Sequence, residues 1–214
     1  MPAVTAFEGG FLHTPDGATG NGLVLTHGAS SNCNAPLLIV LAEGFCAAGL
    51  TVLRYNLAFR QARPHGPPYP AMAARDRAGL AQAVRAMRER VSGKIFLGGH
   101  SYGGRQSTML AAEEPDLAAG LLLMSYPLHA PGRPAELRTA HFPKLGTPAL
   151  FVHGTRDPFG SVDEMRAALE LIAAPHEMVV VESAGHDLGG KGSYARLAER
   201  VVDAFREFGV GAIS

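Results

Sequence analysis

Ile95-Phe96-Leu97 is a short apolar run that passes straight through Gly98-Gly99-His100-Ser101-Tyr102-Gly103-Gly104 into a helical pattern lasting until Glu114 and Pro115. A strand that reverses this sharply into a helix holds its turn residue in a strained backbone conformation. Side chains at positions 99 and 103 would collide with the neighbouring strand and helix, which explains Gly99 and Gly103. Ser101 is thereby pushed out at the tip of the turn. A bare Gly-x-Ser-x-Gly can arise by chance in a chain with 26 glycines. With a strand before it and a helix after it, the pattern has the context that a nucleophile elbow requires. The competing reading is a tight structural turn.

The rest of the chain repeats the same alternation. Leu23 to Thr26, Thr51 to Asn56, Gly120 to Ser125, Pro148 to Val152 and Met178 to Glu182 read as short strands, with Val4 to Leu12 as a first, partly antiparallel edge strand. Pro36 can open a helix that Gly49 closes. Leu80, Val84, Met87 and Val91 give one apolar face to a helix over about 71–91. Ser161 and Glu164 form a capping box before Val162, Met165, Leu169 and Ile172, and the stripe from Tyr194 to Phe208 marks a final helix. From Leu57 to Pro70 the four prolines rule out a helix or a central strand. Apolar runs alternating with amphipathic helices predict an α/β fold: one domain over 1–214 with a mostly parallel sheet of about seven strands and helices on both faces. The connection from Tyr126 to Thr147 is too short for a cap domain and has room for a helical turn or two around Ala135 to Ala140. An open, shallow site follows from that.

Composition narrows the partners. Lys+Arg and Asp+Glu both number 19, and no long block of like charge marks a surface for nucleic acid or membrane. Cys33 and Cys46 sit in no redox or disulfide spacing, no apolar run approaches about 18 residues, and the N-terminus lacks the pattern of a signal peptide. The expected location is cytoplasmic. A protein partner or a homo-oligomer stays open.

In sheets of this kind ligands bind outside the carboxyl ends of the strands, so the residues directly after each strand should converge. Those residues are His27 to Ser30, Ser101, His153 to Asp157 and Ala184 to Asp187. A serine hydroxyl needs a base to take its proton and a third group to orient that base. Asp157 follows one strand and His186 the last. Asp187 and Asp163 are alternative acids. His27, His100 and His153 have no metal-ligand spacing, so neither a metal nor a cofactor is expected.

The turn from Gly99 to Gly103, the loop Gly154-Thr155-Arg156-Asp157 and the turn Gly185-His186-Asp187 together resemble the α/β-hydrolase superfamily, with the chain order Ser, acid, His. Thr26 to Ser30, Gly98 to Arg105 and Ser125-Tyr126-Pro127-Leu128-His129 resemble a small lidless bacterial branch. That branch is similar to the hydrolase-like domain of subunit 3 of the eukaryotic NSL acetyltransferase complex and borders the dienelactone-hydrolase group. The resemblance implies a serine hydrolase of small carboxylic esters or thioesters, with Ser101, Asp157 and His186 as its triad. It also implies an oxyanion hole from the backbone amides of Tyr102 and Ala29. Dienelactone hydrolases usually carry cysteine where this chain has Ser101, so their substrate does not carry over.

His27, Arg60, Tyr126 and Arg105 are candidates for the substrate-facing rim. Arg105, one helical turn beyond Ser101, can meet either a substrate carboxylate or a structural one. The alternative of a different class is a non-catalytic hydrolase-like scaffold that binds a protein partner, which would suit a broken triad. A dehalogenase or epoxide hydrolase would want a carboxylate in place of Ser101.

Overall fold

The computed structural model describes residues 3–189 and 192–208. Eight strands form one sheet: β1 (Ala3–Phe7), β2 (Gly10–Thr14), β3 (Gly22–Thr26), β4 (Thr51–Tyr55), β5 (Ile95–His100), β6 (Gly120–Met124), β7 (Ala149–Gly154) and β8 (His176–Val181), in the order β1-β2-β4-β3-β5-β6-β7-β8. The six strands from β4 to β8 along that order are parallel, and β2 joins β4 antiparallel. The expected single edge strand is a hairpin, which makes eight strands where about seven were predicted. Gly9 turns it at φ 75°, a conformation open to glycine.

The inner strands β3 to β7 are buried along nearly their whole length because both faces of the sheet are covered. Val24, Leu53, Leu97, Leu123 and Phe151 belong to one core, under α3 (Ala73–Arg88), α4 (Tyr102–Glu113) and α5 (Val162–Leu169). Their alternates Leu23, Leu25, Val52, Phe96, Leu122 and Leu150 pack under α1 (Pro36–Ala47) and α6 (Tyr194–Glu207). The period of two along a strand thus builds two cores from one run. The capping box before α5 is present in full: Ser161 Oγ accepts from the Glu164 amide at 3.2 Å and Glu164 Oε2 accepts from the Ser161 amide at 2.7 Å.

Two connections differ from expectation. The segment after β4 begins with a short helix, α2 (Ala58–Ala62), because all four prolines lie after it, from Pro64 to Pro70. Between β6 and β7 the turn of helix lies at Phe142–Lys144, not at Ala135 to Ala140. Phe142 drives that placement: it is fully buried with ring centroids 5.2 Å from Tyr126 and 6.4 Å from Phe151. Among the described residues no helix is long and apolar enough to cross a membrane.

The parallel strands all point their carboxyl ends to one edge, and α6 is held on one face of the sheet by aromatic contacts. Phe205 meets Phe96 of β5 edge-on at 5.0 Å and Phe45 of α1 at 5.4 Å. Phe205→Ala should therefore cost about 3–5 kcal/mol of unfolding free energy, read as a lowered urea midpoint with unchanged slope. A loss below about 1 kcal/mol would show that this contact does not hold the layer.

Candidate active site

Ser101 sits between β5 and α4 at φ 52° and ψ −116°, a backbone conformation that L-residues avoid. Three glycines make room for it. A Cβ on Gly99 would come 2.8 Å from the backbone of Gly103, one on Gly103 would come 2.6 Å from the His27 carbonyl oxygen, and one on Gly104 2.8 Å from that of Gly99. The Ser101 amide donates to the Met124 carbonyl at 2.8 Å, so the turn is tied to the end of β6.

The three side chains singled out from separate strand ends meet. His186 Nε2 lies 2.7 Å from Ser101 Oγ. On the other side of the ring, Nδ1 lies 2.8 Å from Asp157 Oδ2 and 3.0 Å from Oδ1. With the Asp157 side chain fully buried and accepting also from the Phe159 amide at 2.9 Å, Nδ1 carries the proton and Nε2 is left to accept from the serine. Such an imidazole can take the hydroxyl proton as the oxygen attacks a carbonyl carbon. The alternative acids do not reach the ring's Nδ1: Asp163 is exposed and pairs with Arg166 at 3.0 Å, and Asp187 lines the cavity beyond.

The loop after β3 departs from expectation at His27. That residue is fully buried and is no rim residue. Its Nδ1–H donates to the Gly28 carbonyl at 2.8 Å and its Nε2 accepts from the Leu57 amide at 3.1 Å. Burial lowers its pKa to about 4, so it stays neutral and can play both parts. The Gly28 carbonyl also accepts from the Ser31 amide at 3.1 Å. Across a trans peptide N–H and C=O point in opposite directions, so fixing the Gly28 oxygen turns the Ala29 amide away from His27. Tyr102 opens α4, so its amide has no intrahelical acceptor. Ala29 and Tyr102 line one cavity with Ser101.

Arg60 is likewise not a rim residue. It is 7% exposed, and its guanidinium donates to the carbonyls of Ser31 at 2.7 Å, Ala29 at 3.0 Å, Pro64 at 2.6 Å and Gly66 at 3.1 Å. It binds the β3 loop to the Pro-rich loop. Tyr126, at 1% exposure, also leaves the rim: its hydroxyl donates to the Arg138 carbonyl at 2.6 Å. A lone aromatic or basic residue in a loop gives no sequence signal for such anchoring, because the carbonyls it meets are set by the fold. Arg105 does line the cavity.

Three further residues bear on the site that pattern reading passed over or left bland. Phe159 stacks on His186 with ring centroids 4.1 Å apart and planes 32° apart. His100, read as buried beside the elbow, donates from Nε2 to the His186 carbonyl at 2.8 Å, and burial lowers its pKa. Asp76 is fully buried on α3, accepts from the Phe59 amide at 2.9 Å and from the Tyr102 hydroxyl at 2.8 Å, and its pKa is raised by burial. A charged residue on an apolar helix face was its one available signal. The cavity around Ser101 measures about 1150 Å³ and runs between the Pro-rich loop and the connection after β6.

A family model described as an alpha/beta hydrolase domain matches residues 19–208. Two bacterial relatives carry the provisional name carboxymethylenebutenolidase. The Salmonella typhimurium protein is 34% identical over 101 residues, 44% of this chain and 36% of its own. The Escherichia coli K12 protein is 31% identical over 131 residues, 54% of this chain and 47% of its own. The matched region is thus less than half the length of these curated relatives. Dienelactone hydrolase from Anabaena variabilis superposes with a TM-score of 0.76 at 22% identity, covering 96% of this chain and 98% of that one. An alpha-beta serine hydrolase homologue from Coxiella burnetii superposes with a TM-score of 0.74 at 21% identity, covering 95% and 96%. At these identities the structural likeness speaks to the fold.

The neutral His27 leaves a mark on stability. Its folded pKa of about 4 lies below its ordinary 6.5, so between those values the unfolded chain binds more protons and folding weakens as pH falls. The contribution is fully present above 6.5 and is lost on the way down to about 4, at up to ~1.4 kcal/mol per pH unit for this one ring. Urea unfolding across that range should therefore show a shallower pH slope for His27→Gln than for the natural chain, with equal slopes above pH ~7. Equal slopes throughout would remove the buried neutral ring from this account.

Proposed function

The chain belongs to the α/β-hydrolase family and borders its dienelactone-hydrolase group, and on that footing we propose that it is a serine hydrolase. It cleaves small carboxylic esters or thioesters through an acyl-enzyme. The observation that carries this reading is the unbroken hydrogen-bonded line Ser101–His186–Asp157, at 2.7 and 2.8 Å.

In the first half-reaction Ser101 Oγ attacks the substrate carbonyl carbon while its proton passes to His186 Nε2. The buried Asp157 carboxylate faces the imidazolium that results and keeps the ring from turning. Negative charge that gathers on the carbonyl oxygen is met by the amides of Tyr102 and Ala29. Donors held in place before the reaction need no reorganisation, and losing one such donor costs on the order of 10² to 10³ in rate. Collapse of the tetrahedral species expels the alcohol or thiol, which takes the proton from Nε2. Water then enters, gives its proton to Nε2 and attacks the acyl carbon. The acid leaves and Ser101 recovers its proton.

The serine separates this chain from the cysteine usual in dienelactone hydrolases. A hydroxyl needs its base more than a thiol does, because almost none of it ionises at neutral pH. The closed contact between His186 and Ser101 supplies that need.

A fluorophosphonate probe should label Ser101, located by peptide mass spectrometry, and Ser101→Ala should abolish both labelling and turnover of short p-nitrophenyl esters. Natural protein that stays unlabelled and inert while co-purifying with another protein would favour the scaffold reading instead. Asp157→Asn should lower kcat about 10⁴-fold while the fold and the serine remain, since the imidazole would be held in the wrong tautomer. A drop of less than about tenfold would transfer the acid's role to another carboxylate.

A further inference from the structure

Two guanidinium groups share the wall of the Ser101 cavity, Arg105 from the first turn of α4 and Arg138 from the connection after β6. Among the described residues neither forms an ion pair. Arg105 Nε is buried with no hydrogen-bond partner, while the Tyr126 hydroxyl is the one side-chain partner of its guanidinium among the described residues. Arg138 Nη1 reaches only the Pro127 carbonyl, at 3.3 Å. Each also feels the other's charge, and burial followed by Arg105 lowers the pKa of Arg138.

The neighbourhood does not offer the missing anion. Nearby Arg77 is already satisfied by Glu113 at 2.9 Å and Gln106 at 3.1 Å. His141, lowered to about 4 by burial and then by Arg105 and Arg77, is neutral. Glu136 acts on Arg138 from the exposed surface, where it pairs with Arg133. The one acid lining the cavity among the described residues is Asp187, whose charge bears on His100 and Tyr194. Arg138 is meanwhile fixed at both sides of its backbone: its carbonyl accepts from the Tyr126 hydroxyl at 2.6 Å and its amide donates to Leu128 at 2.8 Å.

We propose that Arg105 and Arg138 form a carboxylate subsite, so that the favoured substrate is a half-ester or half-thioester of a dicarboxylic acid. This rests on the serine-hydrolase reading for the reacting carbonyl. A guanidinium presents a planar fork of donors that matches a carboxylate. Arg105 lies one helical turn, ~5.4 Å of axis, beyond the serine, a separation suited to a short acyl chain such as glutaryl. A single anion between the two groups gives both charges a counter-ion and relieves their mutual repulsion.

Calorimetric titration with glutarate tests the subsite without catalysis. Glutarate should bind the natural protein, and Arg105→Gln or Arg138→Gln should weaken it about 10- to 100-fold, with Arg105→Lys falling between. No binding, unaltered binding in the folded variants, or tighter binding of inorganic phosphate would each overturn the assignment. Should the glutamine variants fail to fold, the natural enzyme decides: kcat/KM for monoethyl glutarate should exceed that for ethyl pentanoate by at least about tenfold. Turnover of ethyl pentanoate without that preference refutes the subsite and leaves the serine-hydrolase reading standing. Turnover of neither ester, with glutarate binding lost in the Arg105 variant, does the reverse.

Discussion

The close approach of α4 to β3 and β5 is the constraint on which the rest depends. At Gly99, Gly103 and Gly104 backbone packs against backbone at distances that leave no room for a Cβ. This lets the chain turn through Ser101 at φ 52°. Strain of that kind costs on the order of 1–3 kcal/mol and persists only where the surroundings over-determine it. The surroundings here are two apolar cores on either face of β5, joined by the tie from the Ser101 amide to β6.

Around that turn, buried polar groups do the aiming. His27 and Arg60 never face the solvent, yet between them they hold the Gly28, Ala29 and Ser31 carbonyls and so set the peptide planes of the loop opposite the elbow. Asp76 reaches from α3 to the Tyr102 hydroxyl, and His100 to the His186 backbone. Each is a low-exposure hydrogen bond with few competitors, the setting in which such bonds specify one geometry. The cavity wall on the far side is built differently: Arg105 and Arg138 meet only a hydroxyl and a carbonyl, and among the described residues neither has an ion pair.

Much of this was legible before any coordinates. The two-sided burial of the strands shows in uninterrupted runs such as Leu121-Leu122-Leu123, and the capping box shows in Ser161 and Glu164 because both are local rules. Ser101, Asp157 and His186 could be found because strand ends of a parallel sheet share one edge. Less legible were the features that depend on what lies across a gap. The prolines after Arg63 obscured α2, since they forbid a helix only where they stand. Phe142 moved the helical turn of the β6–β7 connection by choosing a place in the core beside Tyr126 and Phe151.

The misreading of His27, Arg60 and Tyr126 as rim residues has a single cause. A polar side chain in a loop looks solvated in sequence, and whether it turns inward depends on carbonyls brought near it by residues dozens of positions away. What the sequence alone determined was the alternation of buried strands and amphipathic helices, and with it the edge at which Ser101, Asp157 and His186 gather. Which of those residues touch, which are walled in as anchors, and which charges are left facing an open cavity were decided only by the tertiary structure. Periodicity and turn chemistry act within a few residues along the chain, whereas hydrogen-bond partners and ion pairs are settled by distance in space.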